Sequence, residues 1–254
     1  MRRLLAIAVN TFRETIRDRI LVVIILFALA MIVASLWLAS ISLGEQGRMI
    51  EDFGLVAVTF FSLVVAVFVS ASLVRKEVEK RTVFVIFSKP VTRGEFIWGK
   101  SVGFGMTMFV VTGGMGLFLF LLDWAVARSP SGWLLVASLL IYLQVLVVME
   151  ITLLFSTVTS ATLASVLGIC VYAAGQLSSH VLSLTRLGQT AMLKWVSKVI
   201  FYAIPNFGAI DLRGAVLGEG AAKPWTIVAW SGYMIAYGVV TLLLATWIFR
   251  RKEF

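Results

Sequence analysis

The chain has 254 residues, 60% of them hydrophobic and 14% charged, with a mean hydropathy of +1.00 and a formal net charge of +9. A soluble domain of this size needs a polar surface that such a composition cannot supply. The positive charge is arranged as membrane topology requires, which excludes a nucleic-acid surface as its explanation.

Residues 1–19, MRRLLAIAVNTFRETIRDR, place Leu4, Ala8, Phe12 and Ile16 on one helical face and Arg3, Asn10, Arg13 and Arg17 on the other. That spacing predicts an amphipathic helix lying in the headgroup region, with a polar extension of the first span as the alternative. Asn10, Arg13 and Arg17 interrupt the apolar stretch and no small-residue cleavage site follows it. It therefore does not read as a removable signal. Six apolar runs follow: Ile20–Leu43, Phe53–Val74, Val102–Leu122, Trp133–Phe155, Leu163–Leu184 and Thr226–Phe249. Each has the roughly 20 residues that a helix needs to cross a bilayer. The predicted fold is an all-α integral membrane protein with six transmembrane helices and an interfacial elbow helix at residues 1–19.

A short loop, GEQGRMIED, joins the first two spans. After the second comes RKEVEKRTVFVIFSKPVTRGEFIWGK, Arg75–Lys100. Its first half mixes charges at helical spacing. Pro90 cannot continue a helix and Thr92 suits the N-cap of the next one, so two helical pieces are predicted to fold at Pro90 beneath the membrane. VFVIF, within this segment, is too short to span and is predicted to be buried against a partner or the bilayer.

The same segment holds GEFIWGKS, Gly94–Ser101, which fits the phosphate-loop pattern G-x-x-x-x-G-K-[ST] letter for letter. Such a loop works because small residues let backbone N–H groups close around phosphates between a strand and a helix. Here Glu95, Phe96, Ile97 and Trp98 fill that space, and a membrane span follows. Asp123, the would-be magnesium ligand, falls roughly 30 Å from Lys100 along the same helix. The motif reads instead as a span entry, with Trp98 and Lys100 at the interface and Gly99 and Gly103 one turn apart for close helix packing.

STVTSAT, between spans four and five, is small and uncharged. Residues 185–225 form a long excursion on the outer side. In it Met192, Trp195, Val196, Val199, Ile200 and Ala203 make a helical stripe, and PNFG, Pro205–Gly208, breaks it. This predicts a short interfacial or partly re-entrant helix and a turn. With residues 1–19 inside, 15 of the 22 Lys and Arg lie on the cytoplasmic side. An even number of spans with that bias puts both termini inside and favours contact with anionic lipid.

Glu150 is the sole acidic residue well inside a predicted span, about five residues or roughly 8 Å from the inner end of span four. An intramembrane carboxylate suggests function by default, with snorkelling or structural pairing as alternatives. Gln144 and Gln176 share a depth of roughly 17–20 Å, which suggests a bond across helices or a place along a pathway. With one histidine, His180, one mid-span cysteine, Cys170, and one intramembrane carboxylate, no metal-ligand set or protease constellation assembles.

The order of features, sharpest over KEVEKRTVFVIFSKPVTRGEFIWGK, resembles the permease subunits of bacterial ABC transporters of the ABC-2 exporter class. That class includes the group containing the nitrous-oxide-reductase maturation permease. The family pattern of Glu, Gly-Thr, an apolar run, Pro, Arg and Gly-Lys is met by Glu77, Glu79, Thr82, Pro90, Arg93, Gly99 and Lys100. It is departed from at Arg81, where glycine is usual. The resemblance implies a single transmembrane domain over 1–254, acting as the translocation pathway of an ATP-driven exporter in a bacterial inner membrane. It implies a second permease copy, identical or a close paralogue, and two cytoplasmic ABC ATPase subunits coupled through residues 75–100. Glu77, Glu79, Thr82, Pro90, Arg93 and Lys100 would carry that coupling. ATP and magnesium would belong to the ATPase, with no cofactor, metal or catalytic residue in this chain. The alternative is a membrane anchor that transmits ATPase-driven motion to an extracytoplasmic machine.

Overall fold

The computed structural model describes residues 2–41, 46–79, 92–127, 132–185, 204–209 and 224–251. Among them there are helices and no strands. In chain order they are α1 (Arg2–Ile16), α2 (Arg19–Ile41), α3 (Gln46–Glu79), α4 (Arg93–Ala127), α5 (Trp133–Val158), α6 (Ala161–Thr185), a 3-10 turn at Phe207–Ala209, and α7 (Pro224–Arg251).

Five of these, α3 to α7, are long and apolar enough to cross a membrane. The run predicted as the first span is also helical, as α2, in which Ile24–Trp37 is the described apolar stretch. Two helices overrun the apolar stretches that announced them. Helix α3 takes in Glu51 and Asp52, which read as loop, and continues to Glu79. Helix α4 begins nine residues before Val102, at Arg93. Arg, Glu and Lys are good helix formers, so a helix need not end where its hydropathy does.

Helix α5 is central, packing on α3, α4, α6 and α7. Its Leu134, Ile141, Val145 and Met149 join Val58, Val65, Phe104 and Met108 in the main core. Outside this core the surface is apolar: Leu26, Phe60, Leu117, Leu139, Leu163 and Leu243 are all exposed. A soluble protein avoids such a contiguous apolar exterior; a helix bundle in hydrocarbon requires one. Between the described helices, side-chain hydrogen bonds are sparse. The Thr112 hydroxyl, for example, donates to Ser62 Oγ at 3.1 Å across the α3–α4 seam.

Helix α1 is separate from α2: it ends in a turn where Asp18 N–H bonds the Thr15 carbonyl at 3.0 Å. It packs along the first half of α4. The buried stripe of α1 is Ala8, Thr11 and Thr15, with Leu4, Phe12 and Ile16 half-buried beside it. The stripe is thus rotated slightly from the all-apolar line expected, because α1 meets a glycine face on which short side chains fit best.

Residues 80–91, with Thr82, VFVIF and Pro90, and residues 210–223 lie outside the described residues, as does the stripe from Met192 to Ala203. The PNFG break is described. Phe207 is buried against α6, its ring 5.7 Å from that of Tyr172. Asn206 accepts from the Ser178 hydroxyl at 2.9 Å, and its N–H donates to the Tyr233 hydroxyl of α7 at 3.3 Å.

Candidate functional site

Chemistry-bearing side chains gather where the start of α4 meets α1, α5 and the end of α7. Thr92 caps α4. Its hydroxyl accepts from the Glu95 N–H at 3.2 Å, and the Glu95 carboxylate accepts from the Thr92 N–H at 2.9 Å. This reciprocal pair is a capping box; Thr92 was expected as the N-cap, whereas the part of Glu95 was not. GEFIWGKS is therefore the opening turns of a helix, and most of its N–H groups are spent on the helical ladder rather than free to hold phosphate.

Each conspicuous residue of that stretch has a packing duty. At Gly94 a Cβ would lie 2.8 Å from Arg250 Nη2 of α7. At Gly99 it would lie 2.7 Å from Ile7 Cγ2, and at Gly103 it would run into the Ala8 carbonyl. Gly99 and Gly103 are what bring α1 onto α4. Lys100, 4% exposed in its side chain, reaches Glu14 of α1 at 3.8 Å and lies 5.9 Å from the Phe96 ring centroid. Ser101 donates a close hydrogen bond to Glu150 of α5. Asp123 is buried at the other end of α4, near Glu51 of α3. Lys100 and Asp123 share one uninterrupted helix and cannot share a nucleotide.

The end of α7 completes the junction. Arg93 Nη1 donates to the Arg250 carbonyl at 3.1 Å, and the Phe96 and Phe249 rings stack at 5.9 Å. Phe96, Ile97, Leu153, Leu242 and Ala245 close an apolar cluster beneath them. Beside the junction, a cavity of about 580 Å³ lies between α4, α5 and α7, with Phe12 of α1 also lining it. Ser101 and Glu150 are in its wall.

The family of the chain rests on a further finding. The model of the ABC-2 family transporter proteins matches residues 5–254, which is all but four residues of the chain. The chain belongs to the ABC-2 transporter family. It is a multi-pass membrane protein, the permease type of subunit of an ABC transporter, and the family implies a partner ATPase in general. No curated protein matches it.

In this ABC-2 transporter chain the residues singled out from sequence fall into four groups. Glu77 and Glu79 stand in the last turns of α3, and Thr82 and Pro90 lie outside the described residues. Arg93 and Lys100 belong to the junction, Arg93 against α7 and Lys100 buried under α1. Of the intramembrane candidates, Glu150 is 3% exposed and also in the junction. Gln176 donates to Tyr172, one turn back on α6, at 3.0 Å. Gln144 is buried, and its amide nitrogen has no hydrogen-bond partner among the described residues.

Ser101, Glu14 and Arg250 were not anticipated as partners. Ser101 had a weak signal: it follows Lys100 by one residue and so lies about 100° round the helix from it, facing a different neighbour. Nothing local pairs residue 101 with 150 or 93 with 250.

Proposed function

We propose that this chain is the permease of an ATP-driven exporter, paired with a second permease copy and driven by two cytoplasmic ATPase subunits that grip residues 75–100. The six-span arrangement in a bacterial inner membrane, both termini cytoplasmic, is part of this reading, as is α1 serving as an elbow helix at the inner surface. The family match over residues 5–254 carries it. Kinship with the nitrous-oxide-reductase maturation group is the finer form of the same proposal.

The junction supports a route for force. The proposed coupling segment leaves α3 after Glu79 and enters α4 at a capped, rigid start. A push there meets α7 through Arg93 and Arg250, α1 through Lys100 and Glu14, and α5 through Ser101 and Glu150. Contiguous packed contacts of this kind are what carry mechanical coupling between distant sites. No nucleotide chemistry is asked of this chain; ATP and magnesium stay with the partner.

The opposed charges of the segment suit docking with specificity. Reversal of Glu77 and Glu79 to lysine is expected to lower ATPase activity coupled to the permease at least tenfold, with membrane insertion preserved. The readout is ATP turnover of the reconstituted permease–ATPase complex compared with the ATPase alone. Coupling equal to wild type in the doubly reversed chain would overturn the assignment of residues 75–100.

A further inference from the structure

The cavity beside the junction has a chemical character of its own. Its volume, about 580 Å³, falls in the range of small-molecule sites, roughly 300–1,000 Å³. Most of its wall is apolar. Met106, Met149 and Met234 supply soft, adaptable surface, and Phe12, Phe109 and Tyr142 supply aromatic faces. Phe109 and Tyr142 meet edge-to-face at 5.4 Å and 81°. The lining residues Phe109, Val110 and Ile235 are also exposed on the outside of the bundle, so the cavity opens onto its apolar surface.

Glu150 breaks the apolar pattern. It is 3% exposed and stands in the wall. One of its carboxylate oxygens accepts from Ser101, while the other, Oε2, has no hydrogen-bond partner among the described residues. A buried acceptor left unpartnered is costly; Oε2 is covered as it stands, and a turn of the Glu150 side chain toward the cavity would let a ligand donor recover that cost. None of the lining residues is Lys, Arg or His, so an anionic headgroup would find no counter-charge. A cation finds both a carboxylate and aromatic faces, the pairing by which proteins hold ammonium-type ligands.

We propose that this cavity binds an amphipathic cation, an apolar body bearing one cationic nitrogen held against Glu150 and flanked by Phe109 and Tyr142. It would be reached from within the bilayer. The proposal deepens the reading of the chain as a permease by naming a substrate class. A zwitterionic phospholipid suits the site less well, because its phosphate sits beside the ammonium and nothing in the wall answers it.

The test is binding to the full-length permease alone in phosphatidylcholine nanodiscs, without ATPase, so that its outcome is independent of the coupling proposal. Rhodamine 6G is the probe, read by fluorescence anisotropy, and fluorescein is the anionic competitor. Saturable binding of rhodamine 6G is expected, undisturbed by fluorescein and weakened about tenfold or more in Glu150→Gln. Gly238→Leu probes the cavity rather than the charge. A Cβ there would lie 3.5 Å from Leu146 Cδ2, an ordinary contact, and the longer side chain would fill the space; the same loss is expected. Should Glu150→Gln fail to fold by size-exclusion chromatography, Gly238→Leu alone decides. Affinity unchanged in either folded variant, or equal competition by fluorescein, overturns the proposal. So does an absence of saturable binding, as when an acyl chain or a second copy occupies the cavity.

Discussion

At the scale of single residues, the junction depends on two glycines. Gly99 and Gly103 leave α4 without side chains where α1 crosses it, and Ile7, Ala8 and Thr11 fill the gap. A leucine at Gly103 would collide with the Ala8 backbone, which cannot move without moving all of α1. Overpacking of this kind costs about 1–3 kcal/mol. Gly103→Leu is therefore expected to lower the thermal unfolding midpoint of the detergent-solubilised protein by several degrees, while Gly113→Leu leaves it within a degree, since a Cβ at Gly113 meets nothing within 4 Å. Equal midpoints for the two variants would mean that α1 is not held as described. The glycine spacing was visible in GKSVG, and so was the close packing it permits. Its partner was not visible, because nothing in the line of residues says which helix will lie across residue 103.

At the scale of elements, apolar runs located the helices but not their ends. Helix α3 carries Glu51 near its start and Glu79 at its finish, and α4 carries Arg93, Glu95 and Lys100 before its apolar stretch. Hydropathy measures what a bilayer accepts, whereas helix length follows from caps and breakers, and the capping box at Thr92 marks α4's true start. PNFG was legible as a turn; its docking was not. Phe207 is 2% exposed, lodged where Gly175 opens a slot in α6, and Asn206 ties the turn to both α6 and α7. Removing a buried phenylalanine ring costs about 3–5 kcal/mol. Phe207→Ala is expected to lower the unfolding midpoint markedly and to speed limited proteolysis between α6 and α7. A midpoint matching wild type would show that the turn contributes no stability.

At the scale of the whole molecule, the matter is where ATP chemistry resides. The phosphate-loop pattern lies within α4, its lysine under α1 and its serine on Glu150. The purified chain, alone in nanodiscs, is accordingly expected to bind no ATP at millimolar concentration by equilibrium dialysis. Saturable binding that Lys100→Ala abolishes would reverse that conclusion. Composition and patterning alone were enough for a helical membrane protein and for a capped helix after Pro90, because periodicity and short-range chemistry are displayed directly by a linear chain. Membership of the ABC-2 family was reached from the sequence only through the resemblance, sharpest over KEVEKRTVFVIFSKPVTRGEFIWGK. The pairing of Ser101 with Glu150 spans 49 positions and that of Arg93 with Arg250 spans 157, and the cavity beside them draws on four helices. Such contacts arise only when helices choose neighbours. That choice is made by the summed packing of many side chains, so no local stretch of sequence records it.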